Sequence, residues 1–149
     1  MRSIRVMSAT AISGKFSFET RWSPVLKKDG HVQVSVFFLD NYHRLQPYGL
    51  THGEAMFVVH LMQFKWGADA PFPAYGTLAQ KMGVTVKTAA RLAASLQQKQ
   101  YIWREFRTGA TNRFHLDKLI AALVALKTGV VRPLPDQLPK VPKKKKKKA

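Results

Sequence analysis

The stretch AYGTLAQKMGVTVKTAARLAASLQQK, residues 74–99, decides the fold. Leu78, Ala79 and Met82 put apolar side chains on one side of a helix predicted from about Ala74 to Lys81. Gly83 stops that helix, and Thr85 is suited to cap the next one, its hydroxyl accepting a first-turn backbone N–H. The next helix runs to about Lys99, turning Ala89, Leu92, Ala93 and Leu96 inward and leaving Lys87, Thr88 and Arg91 on other faces. The small Ala79 lets the two helices cross closely, and Gly83 supplies a left-handed turn that a side chain resists.

Two helices joined by a tight glycine-containing turn form a helix-turn-helix arrangement. Upstream, Thr51-His52-Gly53-Glu54 reads as a capping box, and Phe57, Val58, Leu61, Met62 and Phe64 then form one broad helical stripe. Gly67 and Ala70-Pro71-Phe72-Pro73 end that helix. Downstream, the aromatic runs Tyr101–Arg107 and Thr111–Leu116 flank Thr108-Gly109-Ala110 and predict a β-hairpin. Asp117 is expected to cap a last helix, Lys118–Lys127, which Gly129 ends. The predicted class is mainly α with a small β component.

Three regions follow. Residues 1–46 are expected to be a strand-containing extension packed on the core, with Lys15–Trp22 and His31–Leu39 as strands and a short helix over Asp40–Leu45. Residues 47–128 are the main domain. Residues 129–149 are expected to be a disordered tail, because Pro133, Pro135, Pro139 and Pro142 interrupt any helix and Lys143 to Lys148 repel one another. That tail is either a loose attraction for nucleic acid or a solvated end without a role.

The chain of 149 residues carries 25 Lys+Arg against 8 Asp+Glu, a formal net charge of +17. Its 46% hydrophobic content suffices for a core and excludes wholesale disorder. Without cysteine there is no disulfide scaffold, thiolate zinc site or cysteine nucleophile. Apolar runs such as Leu119–Leu126 fall far short of the roughly 20 residues of a membrane span. The opening MRSIRVMSATAISG lacks the apolar run of a signal peptide. A soluble, cytoplasmic, nucleoid-associated protein with polyanion partners is expected. The tail holds eight basic side chains against Asp136 and accounts for +7, so the remaining +10 belongs to residues 1–128.

The order helix, helix-turn-helix, hairpin, helix over residues 50–127 resembles the winged helix-turn-helix family. The segment PFPAYGTLAQKMGVTVKTAARLAASLQQKQYIWRE, residues 71–105, is similar to the N-terminal winged helix of DnaD-like and plasmid or phage replication initiators and related regulators on mobile elements. The lead-in from His31 to Asp40, before the Leu-Thr-x-x-Glu helix start, also fits that group. Such domains often carry Ser at the position of Ala74, Gly at Gln100 and a β-branched residue at Ala89. A non-Gly residue at Gln100 has to occupy the helix-to-wing turn with some strain.

The resemblance implies a recognition helix in the major groove, with Thr85, Lys87, Thr88 and Arg91 as candidates for base contact. On the wing, Arg107 and Arg113 are candidates for phosphate or minor-groove contact, with Thr108, Thr111 and Asn112 reaching the backbone. The start of the second helix, near Tyr75 and Thr77, can present N–H groups to a phosphate. Arg104 is ambiguous, since Glu105 or Glu54 can neutralise it. Tyr101, Trp103, Phe106 and Phe114 could form a base-stacking platform, but the hairpin needs such residues for its own core, and core is the expectation. Leu119, Ile120, Leu123 and Val124 are likewise expected in the core, with a homodimer seam through some of them as the alternative.

An enzyme is not expected, and neither is a cofactor or a metal. His31, His43, His52, His60 and His115 show no metal-ligand spacing, and Ser13-Gly14-Lys15 lacks the upstream glycine of a phosphate loop. The eight carboxylates form no acid/base pair. His60 is expected to be a partly buried structural residue. Three functions compete: a sequence-specific double-stranded DNA binder acting as transcriptional regulator, a replication or partition accessory of a mobile element, and a nonspecific architectural or protein-interaction module.

Overall fold

The computed structural model describes residues 17–129. They fall in two compact units that divide between Val32 and Gln33. In the first, helix α1 (Phe18–Arg21) is capped by Ser17, and a 3-10 helix (Pro24–Asp29) is capped by Ser23 with Pro24 in its first turn. Lys27 pairs with Glu19 and its hydrogen bond pulls that carboxyl down to about 2. The Phe18 ring stacks on His31 at 5.4 Å.

The second unit opens with α2 (Val36–Asn41) and a 3-10 turn (Tyr42–Arg44), the latter inside the short helix expected over residues 40–45. The strands expected at Lys15–Trp22 and His31–Leu39 do not form among the described residues; helical turns stand there instead. The aromatic and β-branched residues of these runs suggested strand, but Ser17 and Ser35 each accept a backbone N–H three residues on and close helical first turns. Lys15, the Ser13-Gly14-Lys15 segment and the tail beyond Gly129 lie outside the described residues.

Helices α3 (His52–Met62), α4 (Tyr75–Met82) and α5 (Val86–Gln98) pack on one another. Strands β1 (Trp103–Glu105) and β2 (Arg113–His115) pair antiparallel, and α6 (Asp117–Thr128) closes the unit. This is a winged helix, an α+β fold. The ladder is shorter than the predicted hairpin, since pairing stops at Glu105↔Arg113. Asp117 occupies the first turn of α6 and is not its cap; Leu116 precedes it and makes no side-chain cap bond.

Phe57, Leu61, Leu78, Leu96, Tyr101 and Phe114 form the centre of the core, and Phe38 and Leu45 join it from upstream of the predicted boundary at residue 47. The edges of Phe57 and Tyr75 meet the Phe114 ring. Leu119 is buried, as expected, and Leu123 is partly so. Ile120 and Val124 are exposed instead and line an apolar groove of about 310 Å³ between α2, α3 and α6.

Helices α4 and α5 end in the same motif. Val84 N–H bonds the Ala79 carbonyl, and Tyr101 N–H bonds the Leu96 carbonyl, both at 3.0 Å. Each needs a left-handed residue just before that donor: Gly83 at φ 68° in one case, Gln100 at φ 63° in the other. A Cβ at Gly83 would meet nothing within 4 Å, so only backbone conformation selects glycine there. Gly83→Ala is expected to lower unfolding free energy by about 1–2 kcal/mol, while Gln100→Gly raises it by up to about 1 kcal/mol. Urea denaturation of the two variants measures both; a destabilised Gln100→Gly would contradict the strain assigned to that turn.

Candidate nucleic-acid interface

The position of α5 is set by polar bonds at its C-terminal end. Glu54, 1% exposed, closes the predicted capping box: Thr51 N–H donates to its Oε1 at 2.9 Å while Thr51 Oγ1 accepts from Glu54 N–H. The same carboxylate accepts from Lys99 Nζ at 2.6 Å and from Ser95 Oγ at 2.9 Å. Lys99 also donates to the Gly49 carbonyl, and Tyr101 Oη bonds both backbone polar groups of Tyr48. Burial alone would raise the Glu54 carboxyl, but the Lys99 ammonium, the Thr51 amide and the Ser95 hydroxyl outweigh it and hold it below its ordinary value. Glu54 therefore does not neutralise Arg104, and neither does Glu105, which pairs with His115 at 2.8 Å. The His115 hydrogen bond holds the Glu105 carboxyl below the usual range.

With Ser95 and Lys99 turned to Glu54, and Ala89, Ala93 and Leu96 to the core, α5 presents Lys87, Arg91 and Ala94 to solvent. Neither Lys87 nor Arg91 makes a hydrogen bond or ion pair among the described residues. Thr85 and Thr88 are less free: Thr85 Oγ1 accepts from Thr88 N–H at 3.1 Å, and the two hydroxyls bond each other at 2.9 Å. Val86, 54% exposed at the first turn, was not singled out from the sequence.

At the start of α4, Ala74 makes no side-chain cap bond, so the N–H groups of Tyr75, Gly76 and Thr77 lack a capping acceptor. The Tyr75 hydroxyl is occupied, accepting from Arg104 Nη1 at 3.0 Å, whereas the Thr77 side chain is exposed.

On the wing, Gly109 takes the expected positive φ of 70°. Arg107 folds back, donating through Nε to the Thr111 carbonyl at 2.8 Å and lying 5.2 Å over the Phe72 ring. The Thr111 hydroxyl donates to the Phe72 carbonyl, and Phe114 N–H bonds the Pro71 carbonyl at 2.9 Å. Both predicted contact residues thus help to fasten the wing. Thr108 and Arg113 are exposed and Asn112 is half-buried. Of the four aromatics expected in the core, Tyr101 and Phe114 are buried, but Trp103 and Phe106 stand out at 53% and 79% exposure. The ladder is three residue pairs long and ends at Glu105, before Phe106, while Trp103 lies against His115.

Residues 70–104 contain Lys81, Lys87, Arg91, Lys99 and Arg104 and no acidic side chain, so the helix pair and the start of the wing form a continuous basic stretch.

Residues 48–102 match the family model of a helix-turn-helix domain. The match spans α3 to α5 and stops just before β1. No curated protein matches the chain. A helix-turn-helix domain is a DNA-binding fold, and in such folds the second helix of the pair lies in the major groove; the second helix of the pair here is α5. No group of three or more His, Asp or Glu among the described residues can hold a metal ion. No helix among them is long and apolar enough to cross a membrane. His60 is partly buried, bonds Gln63 at 2.8 Å, and is held below its ordinary value by burial and by the Lys81 charge.

Because the folded state depresses the Glu54 carboxyl, its contribution to stability is complete above the unfolded value of about 4.3 and fades as pH falls through the folded value. Glu54→Ala leaves Lys99 without its partner and should cost about 3–5 kcal/mol at pH 7. The stability gap between wild type and Glu54→Gln should narrow on acidification below pH of about 4.3. Denaturant titrations across that range check both; a gap independent of pH would show that Glu54 is not ionised in the fold.

Proposed function

We propose that the chain is a sequence-specific double-stranded DNA-binding protein acting as a transcriptional regulator. The observation that carries this reading is the solvent face of α5, where Lys87 and Arg91 stand exposed and unpaired among the described residues, opposite the buried stripe of Ala89, Ala93 and Leu96. Arg91 suits bidentate donation to guanine O6 and N7, and Lys87 suits the same acceptors or a phosphate. Val86 offers methyl groups to thymine C5-methyls, and the linked hydroxyls of Thr85 and Thr88 lie beside it at the helix start.

Phosphate contacts are assigned to Arg113, Thr108 and Asn112 on the wing, to the free Nη groups of Arg107, and to the N–H groups at the start of α4 near Tyr75 and Thr77. Neighbouring phosphates close the interface by charge, since no carboxylate lies between residues 70 and 104. The similarity of residues 71–105 to initiator winged helices supports a second reading, a replication or partition accessory. Selection of sites from random duplexes separates the two: repeated sites clustered in a replication origin favour the accessory, single operators upstream of genes the regulator.

Arg91→Ala should weaken the selected site by about 1–3 kcal/mol and relax preference at one base pair. Neutralisation of about six phosphates predicts a slope of about −5 for log K against log salt. Titrations at several salt concentrations measure both. If the chain shows no preference for any duplex over random sequence, the regulator reading is wrong.

A further inference from the structure

Two exposed aromatic rings on the wing share one arrangement. Phe106, 79% exposed, follows β1 with the Arg104 guanidinium 5.7 Å from its centroid. Phe72, 55% exposed, lies beside β2 with the Arg107 guanidinium 5.2 Å from its centroid. Both arginines are themselves held: Arg104 by the Tyr75 hydroxyl, Arg107 by the Thr111 carbonyl. The Phe72 backbone is fixed in turn, because Thr111 Oγ1 donates to its carbonyl and the neighbouring Pro71 carbonyl accepts from Phe114 N–H.

A guanidinium can shield one face of a phenyl ring, and at these exposures much of each ring still meets water. Nothing in the core explains the two side chains, since Phe114 already fills the wing's buried position. An isolated exposed phenylalanine is unremarkable. Two, each flanked by an anchored arginine, one of which bonds Tyr75 in the first turn of α4, combine a stacking surface with a site for the adjoining phosphate.

We propose that Phe106 and Phe72 are stacking surfaces for unpaired DNA bases, so that the wing engages a locally opened duplex beside the site held by α5. The inference rests on the reading that the chain binds DNA. Arg104 and Arg107 hold the rings from one side and meet the phosphate of the displaced nucleotide, and the base covers the open side. Trp103 belongs to a separate surface, since it projects from the opposite face of β1 to Arg104 and stacks on His115 at 4.6 Å.

The test uses the full chain and two DNA probes equal in length and phosphate number: a paired duplex and the same duplex with a short run of mismatches beside the selected site. Matching the phosphates removes the lysine tail from the comparison. Wild type should bind the mismatched probe roughly 5- to 100-fold more tightly, the range of base–aromatic stacking. Phe106→Ala and Phe72→Ala should each reduce that ratio while leaving paired-duplex affinity within about twofold, and the double variant should abolish it. Phe106→Trp should keep the preference, and Trp103→Ala should leave it unchanged. Circular dichroism confirms that the variants fold. Equal binding of both probes by wild type, or a preference that survives the double substitution, overturns the proposal and leaves the duplex-binding reading standing. Failure to bind either probe overturns both.

Discussion

The buried carboxylate of Glu54 is the constraint on which the rest of the domain depends. One oxygen serves the start of α3 and Lys99, the other serves Ser95, so a single side chain ties the first helix of the domain to the last turn of α5. Taking a carboxylate and an ammonium out of water is costly, and such a pair adds little net stability against a well-packed apolar substitute. Its use is positional. Ser95 and Lys99 are four residues apart on α5, and both reach Glu54 only at one rotation and one height of that helix. With that rotation fixed and Ala89, Ala93 and Leu96 turned into the core, Lys87 and Arg91 stand exposed on the opposite side of the helix.

The second constraint is the exit from α5. Gln100 adopts a left-handed conformation so that Tyr101 can bond back to the Leu96 carbonyl and bury its ring, with its hydroxyl on the Tyr48 backbone. Ile102 is buried next to it, and only then does the chain enter β1. The same geometry at Gly83 joins α4 to α5 with glycine and no strain. A side chain in the left-handed region costs on the order of 1–2 kcal/mol, and the Tyr101 and Ile102 burial that it permits is worth more.

The helix pair was legible because its signals are local and mutually consistent: apolar spacing, a left-handed glycine and a threonine cap all lie within residues 78–96. The capping box at Thr51 was legible for the same reason. Residues 17–39 were not, since aromatic and β-branched composition there suggested strands while Ser17, Ser23 and Ser35 capped short helical turns. Pattern also failed on the wing. Alternation says which residues share a face of a hairpin, but not whether anything lies over that face, so Trp103 and Phe106 looked like core. The second role of Glu54 was illegible too, because its link to Lys99 spans 45 positions.

The partners of the cations decide what the net charge can mean. Lys99 is bound to Glu54, Lys81 lies over the Phe64 ring, Lys127 lies over the Phe37 ring, and Arg104 and Arg107 are fastened to the wing. These charges still contribute to the field around the domain, but their side chains cannot reorient without breaking internal contacts. Lys87, Arg91 and Arg113 are exposed and make no hydrogen bond or ring contact among the described residues, although Arg113 stands across the ladder from Glu105 and its charge helps to lower that carboxyl. A polyanion drawn by the overall field therefore meets two kinds of cation: exposed ones on α5 and β2 that no internal hydrogen bond holds, and fixed ones on the wing, each set against an aromatic ring. The exposed ones suit the edges of paired bases in a groove. Fixed ones are preorganised for a partner that brings a flat apolar surface and a phosphate together, and a nucleotide turned out of its stack has both.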